Sequence, residues 1–414
     1  MRRFPFSSYL NVLLPVCCFI AVAFAIPYLP EGHQYDRRCW YNWAVYMFDH
    51  GLSNTYNTDT NYLPLYQYVL YAYAKICGAP ETIWSSLSYL RLLTLAFEWL
   101  GLWYLYLWTE KKLPYYLLIL ISLINLGQSY NTLLWGQVDG ISSALVFISV
   151  YYGYFKKPVL STLFFVLAVN MKLQSMIFLP VWGYFCLSTL SETKRLRELF
   201  LPLLAAAALQ LIVLLPFIHH LPRVWQVIAE SFGKFPVVSL GAFNFWYLVL
   251  GAEAYSLPDS GIFIFNLTYK QSGLILFFIT GTIALLPLLR NLYKLPAKKA
   301  AHVSKIQVWC IAAIIPIAFF FFPTEMHERY SHPAFLFIMA LAVYKNDYFP
   351  YLLFSLAYFV NLETIAHSLW LGNSSFIFNP LVVATEYALL LLYLFFRLWQ
   401  QRPGSSVPGL GSTY

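Results

Sequence analysis

The chain has 414 residues, of which 60% are hydrophobic and only 11% are charged, and its mean hydropathy is +0.62. A soluble core of this size cannot hide that much apolar surface, so the composition excludes an ordinary soluble protein and indicates a polytopic membrane protein. The net charge of +8 does not indicate a nucleic-acid partner, because most of the lysines and arginines fall in short loops between apolar segments.

Apolar stretches of about 20 residues, long enough for a helix to cross about 30 Å of hydrocarbon, recur along the chain. We expect an all-α fold with about 12 transmembrane helices in one integral membrane domain at 1–400, followed by a flexible tail at 401–414 that is rich in Gly, Ser and Pro. The fifth and sixth spans are short, which indicates a broken or re-entrant segment. The expected spans are 9–28, 84–108, 113–133, 138–155, 158–170, 174–188, 199–218, 262–289, 306–322, 332–345, 349–366 and 376–397.

The distribution of positive charge orients these spans. With a cytoplasmic N-terminus, most of the 26 lysines and arginines fall in cytoplasmic loops, as the positive-inside rule requires. The same alternation places the polar stretches together on the other side, where we expect one cavity open to the periplasm, the exterior or a lumen. These stretches are the loops 29–83 and 219–261, WGQVDG at 135–140, NMKLQ at 170–174, SLGAFNFW at 239–246 and TEMHERY at 324–330.

The first outer loop contains a predicted amphipathic helix at the membrane interface. Its apolar residues recur at helical spacing, at Trp40, Trp43, Ala44 and Met47. Gly51 is placed to end the helix, and Asp36 lies on the face of the two tryptophans, which favour the headgroup level. Two interpretations of Asp36 stay open: a first-turn acid that pairs with Arg37 or Arg38, or a general base held at the membrane surface.

The cysteines and the spacing of possible metal ligands add little to the functional assignment. Cys39 and Cys77 share the outer loop and can be free or paired. The chain contains no CxxC or HExxH motif, and the first outer loop has no DxD pair. We therefore expect no metal and no other cofactor.

In this order along the chain, the motifs resemble those of the GT-C membrane glycosyltransferases. Gly32, His33, Asp36 and Trp43, followed by NYLPLY at 61–66, are similar to the first lumenal loop of dolichyl-phosphate-glucose-dependent glucosyltransferases and bacterial polyprenyl-phosphate-sugar transferases. WGQVD, the lysine of NMKLQ, SLGAFNFW and MHERY resemble further family motifs. The sequence departs from the family at three positions, which bear on the identity of the sugar: a second proline, an asparagine and a lysine are replaced by Leu63, Asp139 and Arg329.

The resemblance implies a GT-C fold, Asp36 as the catalytic base and His327 near the lipid phosphate. The chemistry itself needs these residue types, because sugar transfer from a polyprenyl phosphate requires a base for the acceptor hydroxyl and cations for the departing phosphate. A single base without a covalent partner implies inversion at the anomeric carbon. The candidates for phosphate binding are His327, Arg329 and Lys172. The candidates for orienting these groups or binding substrate are Glu325, Glu328, Asp139, Gln137, Gln174, Tyr62, Asn244 and Trp246.

Most candidates also have a purely structural interpretation. The glutamates and the arginine of TEMHERY can satisfy one another at the start of a helix. Asp139 can be the N-cap of the fourth span, and Lys172 can extend to the membrane interface. Asn244 and Trp246 can be ordinary interfacial residues.

The expected function is hexose transfer from a polyprenyl-phosphate donor to a hydroxyl of a lipid-linked glycan, a glycolipid or a protein, at the non-cytoplasmic face and among membrane lipids. A bacterial inner membrane is favoured over the ER, because WGQVD and HERY are closer to the bacterial branch. Two other classes stay open: a secondary transporter of a polar solute, and a lipid-linked glycan polymerase or ligase. The chain shows no repeat between its halves, which disfavours the transporter, and Arg223 is the only arginine in the loop 219–261, which disfavours the polymerase or ligase.

Overall fold

The computed structural model describes residues 6–231, 233–295, 303–371 and 376–401. Within these ranges the chain is 79% helical with almost no sheet, so the all-α prediction is confirmed. The tail predicted at 401–414 lies, from residue 402 onward, outside the described residues.

The helices follow one another with short connections, several of which are 3₁₀ turns. The first half contains α1 (Phe6–Ala25), α2 (Gln34–His50), α3 (Pro64–Cys77), α4 (Pro80–Ser86), α5 (Leu90–Trp108), α6 (Tyr115–Ile124), α7 (Leu126–Ser129), α8 (Asp139–Tyr154), α9 (Pro158–Met171) and α10 (Leu179–Thr193). The second half contains α11 (Arg197–Leu214), α12 (Leu221–Glu230), α13 (Phe245–Leu250), α14 (Tyr269–Lys294), α15 (Lys305–Phe321), α16 (Phe335–Lys345), α17 (Phe349–Ala366) and α18 (Pro380–Trp399). A π-helical turn, Tyr130–Trp135, follows α7.

Six helical segments of the described chain are long and apolar enough to cross a membrane. A seventh can be added if α6 and the segment Leu126–Trp135, which meet at a 72° bend, form one span. The six are Tyr9–Tyr28, Leu173–Thr193, Arg197–Glu230, Tyr269–Lys294, Phe349–Ala366 and Pro380–Trp399. The prediction of about 12 spans is therefore met only in part.

The remaining predicted spans are helices that are too short or too polar to pass as spans. Helices α8, α9, α15 and α16 have 16, 14, 17 and 11 residues, against the roughly 20 that a span needs. Helix α5 carries Arg91 and Glu98, both buried. The predicted span at 84–108 in fact begins only at Leu90, after α4 and a 3₁₀ turn.

Several short helices form the core, and the longest helices lie at its outside. Helices α8, α15 and α16 are buried along nearly their whole length, whereas α11 and α14 expose large apolar side chains such as Leu204, Leu211 and Phe278. Outward-facing apolar side chains suit a hydrocarbon environment. An apolar helix at the centre of the bundle contacts other helices rather than lipid, so its composition does not by itself show whether it crosses the membrane.

The segments before α13 and after α15 are joined by a short parallel strand pair that the sequence did not predict. In β1 (Ser239–Leu240) and β4 (Met326–His327), Ser239 pairs with Met326 and Leu240 with His327. Asn361 of α17 fixes the first of these segments, because its amide donates to the Gly241 carbonyl at 2.6 Å. Strands β2 (Ile262–Ile264) and β3 (Leu267–Thr268) form an antiparallel hairpin before α14, where the sequence predicted the start of a span at 262.

The amphipathic helix predicted in the first outer loop is confirmed as α2, which ends at Gly51 in a positive-φ conformation (+84°). Trp40 and Trp43 are only 5% and 2% exposed, so both rings are buried within the protein, and their expected place at the headgroup level stays a prediction. The Trp43 indole N–H donates to Asp59 at 2.8 Å. The polar end of this ring is thus satisfied inside the protein, so it needs no interfacial water.

Candidate functional site

Asp36 lies in the first turn of α2, and its carboxylate faces the segment that follows the π-helical turn. Its Oδ2 accepts hydrogen bonds from Gln137 Nε2 at 2.6 Å and Trp135 Nε1 at 3.3 Å. His33 Nδ1 lies 3.3 Å from the same oxygen but without hydrogen-bond geometry. Within the described part of the chain no group donates to Oδ1, and the side chain is 20% exposed. Hydrogen bonds therefore hold Oδ2 in place, while Oδ1 stays available to accept a hydrogen bond or a proton.

The surroundings of Asp36 favour its ionised form. Burial alone raises the pKa of this carboxyl, but the close approach of His33, the positive charge of Arg329 and the bond from Trp135 outweigh burial and hold the pKa below its usual 3.8. Asp36 is therefore a carboxylate at neutral pH, able to accept a proton.

Asp36 does not pair with the arginine next to it. Arg37 donates instead to the Glu31 carbonyl at 2.9 Å and to Ser88 Oγ at 2.7 Å. The first-turn ion pair between Asp36 and Arg37 is therefore not formed. The Asp36 carboxylate instead bonds to residues of the site.

A second arginine fixes the chain that enters α2. Arg91 is buried and donates to the carbonyls of Pro30 and Leu133, both at 2.7 Å. Gly32 has φ of +95°, and a Cβ there would lie 2.5 Å from the Trp135 carbonyl oxygen. Only glycine permits this approach without a shift of the backbone. The loop that precedes Asp36 therefore packs directly against the backbone of Trp135, whose side chain hydrogen-bonds to Asp36.

A buried ion-pair cluster lies beside Asp36. Asp139 opens α8, is fully buried, and accepts a hydrogen bond from Lys172 Nζ, which extends from the end of α9. Its other oxygen lies 3.7 Å from Arg329 Nε. Arg329 Nη1 donates to Glu328 Oε1 at 2.5 Å. Among the described residues, Asp139 Oδ2 and Arg329 Nε lack a hydrogen-bond partner, so the cluster retains unused polar groups.

These contacts bear on two of the alternative interpretations. The N-cap of α8 is Val138, not Asp139, and the Asp139 side chain makes no cap bond. Lys172 does not extend outward: its ammonium binds Asp139 and lies 5.0 Å from the centroid of the Tyr330 ring. Both residues thus belong to the cluster.

Asp36 and the ion-pair cluster form one site. The Arg329 guanidinium lies 5.5 Å from the centroid of the Trp135 ring, whose N–H bonds to Asp36. Burial disfavours the charged form of Arg329, but Glu328, Asp139 and Asp36 together raise its pKa above the ordinary value. The guanidinium is therefore a permanent cation, and the negative charges of all three carboxylates stabilise it.

Tyr62 also lies at this junction. Burial, with the charges of Asp36 and Asp139, raises the pKa of its phenol, and its ring packs on Trp43 and Tyr66 at centroid distances of 5.6 and 5.1 Å. The phenol is neutral at physiological pH, so it offers the site a hydrogen-bond group rather than a charge.

His327 and Gln174 lie at the edge of the site. His327 Nδ1 is 3.7 Å from Glu328 Oε2, and its ring packs against Phe235 and Tyr330. Its side chain is 23% exposed. Gln174 Nε2 donates to the Tyr330 carbonyl at 2.5 Å, so the amide holds the backbone of this loop.

Glu325 lies outside the cluster. It accepts a hydrogen bond from Lys270 Nζ at 2.6 Å and another from the Phe235 backbone N–H at 3.3 Å. Its backbone has φ of +63°. No helix begins at TEMHERY, because His327 ends a strand and the next helical turn starts at His332. The expected role of Glu325 beside Arg329 is not supported by this geometry.

Asn244 and Trp246 also lie outside the cluster and bind backbone. Asn244 caps α13 by accepting from the Trp246 N–H at 3.1 Å and donates to the Phe320 carbonyl at 3.2 Å. The Trp246 indole N–H donates to the Phe322 carbonyl at 2.8 Å. Both side chains are fully buried, so they tie α13 to the end of α15.

Sequence reasoning missed a buried polar layer beneath the site. His332 Nε2 lies 3.7 Å from Glu98 Oε1, and its Nδ1 is 3.1 Å from the Tyr358 hydroxyl. Thr132 donates to Glu98 at 2.6 Å. The available signal was Glu98 itself, since a carboxylate within an apolar segment is rare without a partner. Trp135 was missed because nothing in its motif shows that it contacts both Asp36 and Arg329.

Cysteines and metal ligands give no further site within the described chain. All six cysteines are free, including Cys39 and Cys77, so these two are not paired. No group of three or more His, Cys, Asp or Glu side chains in the described ranges is arranged to hold a metal ion. The expectation that no cofactor is needed stays a prediction.

No protein-family model matches the sequence, and no curated protein matches it either. The resemblance to the GT-C enzymes therefore rests on the order and side of the motifs, and the function has to be argued from the site.

Proposed function

We propose that this chain is an inverting glycosyltransferase of the GT-C type, which moves a hexose from a polyprenyl-phosphate donor to an acceptor hydroxyl. The observation that carries the proposal is the convergence of one carboxylate with a free oxygen, Asp36, and two cations, Arg329 and Lys172. Three segments far apart in the sequence deliver them. A base and cations side by side are what this reaction needs.

Asp36 acts as the general base. The acceptor oxygen forms a bond to the anomeric carbon, the bond from that carbon to the donor phosphate oxygen breaks with its electron pair on the phosphate, and the acceptor proton passes to Asp36 Oδ1. A carboxylate of low pKa suffices, because the hydroxyl becomes acidic as its bond to an oxocarbenium-like carbon forms. Gln137 and Trp135 hold Oδ2 and so aim Oδ1.

Arg329 is the principal contact of the donor phosphate. Its Nη1 is engaged by Glu328, whereas Nε and Nη2 make no hydrogen bond within the described residues. This edge of a guanidinium can bind two phosphate oxygens at once. Lys172 and His327 add charge or a donor on either side, and Glu328 orients both Arg329 and His327.

The proposed topology has about 12 spans, with α5, α8, α9, α15 and α16 crossing inside the ring of longer helices. The loops 29–83 and 219–261 then lie outside the cytoplasm, and the site faces the periplasm, the exterior or a lumen. A bacterial inner membrane is the proposed location. The acceptor is a lipid-linked glycan, a glycolipid or a protein.

The test is transfer of radiolabelled sugar from a panel of synthetic polyprenyl-phosphate hexoses by the purified protein, with EDTA present and with crude lipid and protein extracts as acceptors. Asp36→Asn should lower transfer by two or more orders of magnitude. Asp49→Asn is the matched control, because Asp49 is an exposed acid at the other end of α2, and it should transfer at the wild-type rate.

Two results would overturn the proposal. If the wild type consumes no donor, the enzyme assignment fails, and solute uptake into vesicles becomes the measurement to make. If transfer occurs but Asp36→Asn matches Asp49→Asn, the assignment of the base fails.

A further inference from the structure

Trp135 contacts both the proposed base, Asp36, and the proposed phosphate-binding cation, Arg329. Its indole N–H donates to Asp36 Oδ2 at 3.3 Å, its ring centroid lies 5.5 Å from the Arg329 guanidinium carbon, and the His33 ring lies 5.6 Å away. The side chain is only 3% exposed. No role was assigned to this residue from the motifs.

The local backbone fixes the position of this ring. Trp135 ends the π-helical turn, and Gly136 follows it with φ of +85°. Its carbonyl accepts the His33 N–H at 3.3 Å and lies against Gly32. Single π-helical turns interrupt regular helices at a cost and recur at functional sites. The indole therefore has little freedom to move relative to α2.

We propose that Trp135 is a positioning residue that sets the distance between the catalytic base and the phosphate-binding cation, its N–H holding Asp36 and its ring face carrying Arg329. The inference deepens the proposed function and rests on it. An inverting transfer needs the base and the leaving phosphate on opposite sides of one carbon. A rigid ring with a polar edge and an electron-rich face meets both groups at once, because its edge and its face are fixed relative to each other.

The competing interpretation is that Trp135 only fills space. Two substitutions separate the interpretations. Trp135→Phe keeps an aromatic face under Arg329 but removes the N–H, whereas Trp135→Leu removes both. Trp309→Phe is the matched control, because Trp309 is fully buried, packs on Trp108 and Tyr344, and makes no indole hydrogen bond among the described residues.

The first measurement is donor kinetics as a function of pH. For Trp135→Phe we expect kcat to fall about tenfold, since a bond to a charged acceptor is lost, while the donor KM stays within about twofold. The acid limb of the profile should move to higher pH, because the lost bond favoured the ionised form of Asp36. For Trp135→Leu we expect the donor KM to rise as well, by about fivefold, because the cation loses its aromatic support.

The second measurement needs no turnover. Infrared difference spectra of the Asp36 carboxyl, obtained by subtracting the spectra of Asp36→Asn, should show its protonation at higher pH in Trp135→Phe than in the wild type or Trp309→Phe. An unchanged carboxyl titration overturns the inference whatever the activity. A wild type that transfers no sugar, with the titration shifted as expected, instead places the failure in the proposed function.

Discussion

Replacing Lys172 by methionine tests whether the ion-pair cluster is as buried as its geometry indicates. Asp139 has no exposed surface, and the Lys172 side chain is 23% exposed. The substitution leaves the Asp139 carboxylate buried with one nearby cation, Arg329, whose Nε lies 3.7 Å from the second oxygen. Breaking a buried pair from one side typically costs about 3–5 kcal/mol, because the remaining charge stays desolvated.

The expected magnitude lies at the lower end of that range. Arg329 can close its 3.7 Å gap to Asp139, so we expect a loss of about 3 kcal/mol. An unfolding entropy of about 2.1 cal/mol/K per residue, over this chain length, gives about 0.9 kcal/mol/K, so the melting temperature should fall by about 3–4 °C.

The assay is thermal unfolding of the purified protein in one detergent, followed by intrinsic fluorescence. Lys156→Met is the control, because Lys156 pairs with Glu192 at the surface, where the two side chains are 47% and 36% exposed. Such a pair contributes less than about 1 kcal/mol. The double variant Asp139→Leu/Lys172→Met should be more stable than Lys172→Met alone, because it leaves no unpaired carboxylate. Equal shifts for Lys172→Met and Lys156→Met, or a further loss in the double variant, would refute the reasoning.

Three further predictions follow from the site. Asn244→Ala should cost about 1–2 kcal/mol of stability, because it removes the cap of α13 and a bond to a buried carbonyl; the donor KM should stay unchanged, and a KM that rises would place Asn244 in the site. Gly32→Ala should lower transfer at least about tenfold, because a Cβ there meets the Trp135 carbonyl at 2.5 Å at a φ of +95°. Gly183→Ala, where a Cβ meets nothing within 4 Å, is its control, and equal activities would show that the loop tolerates the shift. Since the pKa of Asp36 lies below 3.8, kcat/KM should fall only at pH values below about 4. Arg329→Gln should move this acid limb of the pH profile to higher pH. A wild-type midpoint above about pH 5 would contradict the assigned base.

The sequence predicted which polar side chains from distant segments would lie close together. The order of apolar segments placed Asp36, Asp139, Lys172 and Arg329 on one side of the membrane, and the structure brings these side chains together. Alternation suffices for such a prediction, because successive spans return the chain to the same face. The spacing before Gly51 likewise predicted α2, since its amphipathic pattern and its end are both local.

What the sequence did not predict depends on distant partners. The β1–β4 pair joins segments far apart in the chain and is fixed by Asn361, and Glu325 turns towards Lys270 rather than Arg329. Neither arrangement has a local signal. The predicted span count is met only in part, with six segments of the described chain long and apolar enough to cross a membrane. Hydropathy alone does not separate a helix that crosses the membrane from one buried in protein, because both are apolar.

The short helices and the position of the site have one explanation under the proposed topology. Helix α8 begins at Asp139, α9 ends next to Lys172, and α15 ends before the loop that carries Arg329. With 14 to 17 residues, these helices extend about 21–26 Å, against a hydrocarbon thickness of about 30 Å. The missing length is at the end where the ion-pair cluster lies. The helices are short as spans because polar side chains that pair with one another take the place of a further turn at the end of each helix next to the cluster. Longer helices outside then shield these side chains from lipid. A donor whose phosphate is attached to a lipid can then meet Arg329 near the depth of its own headgroup.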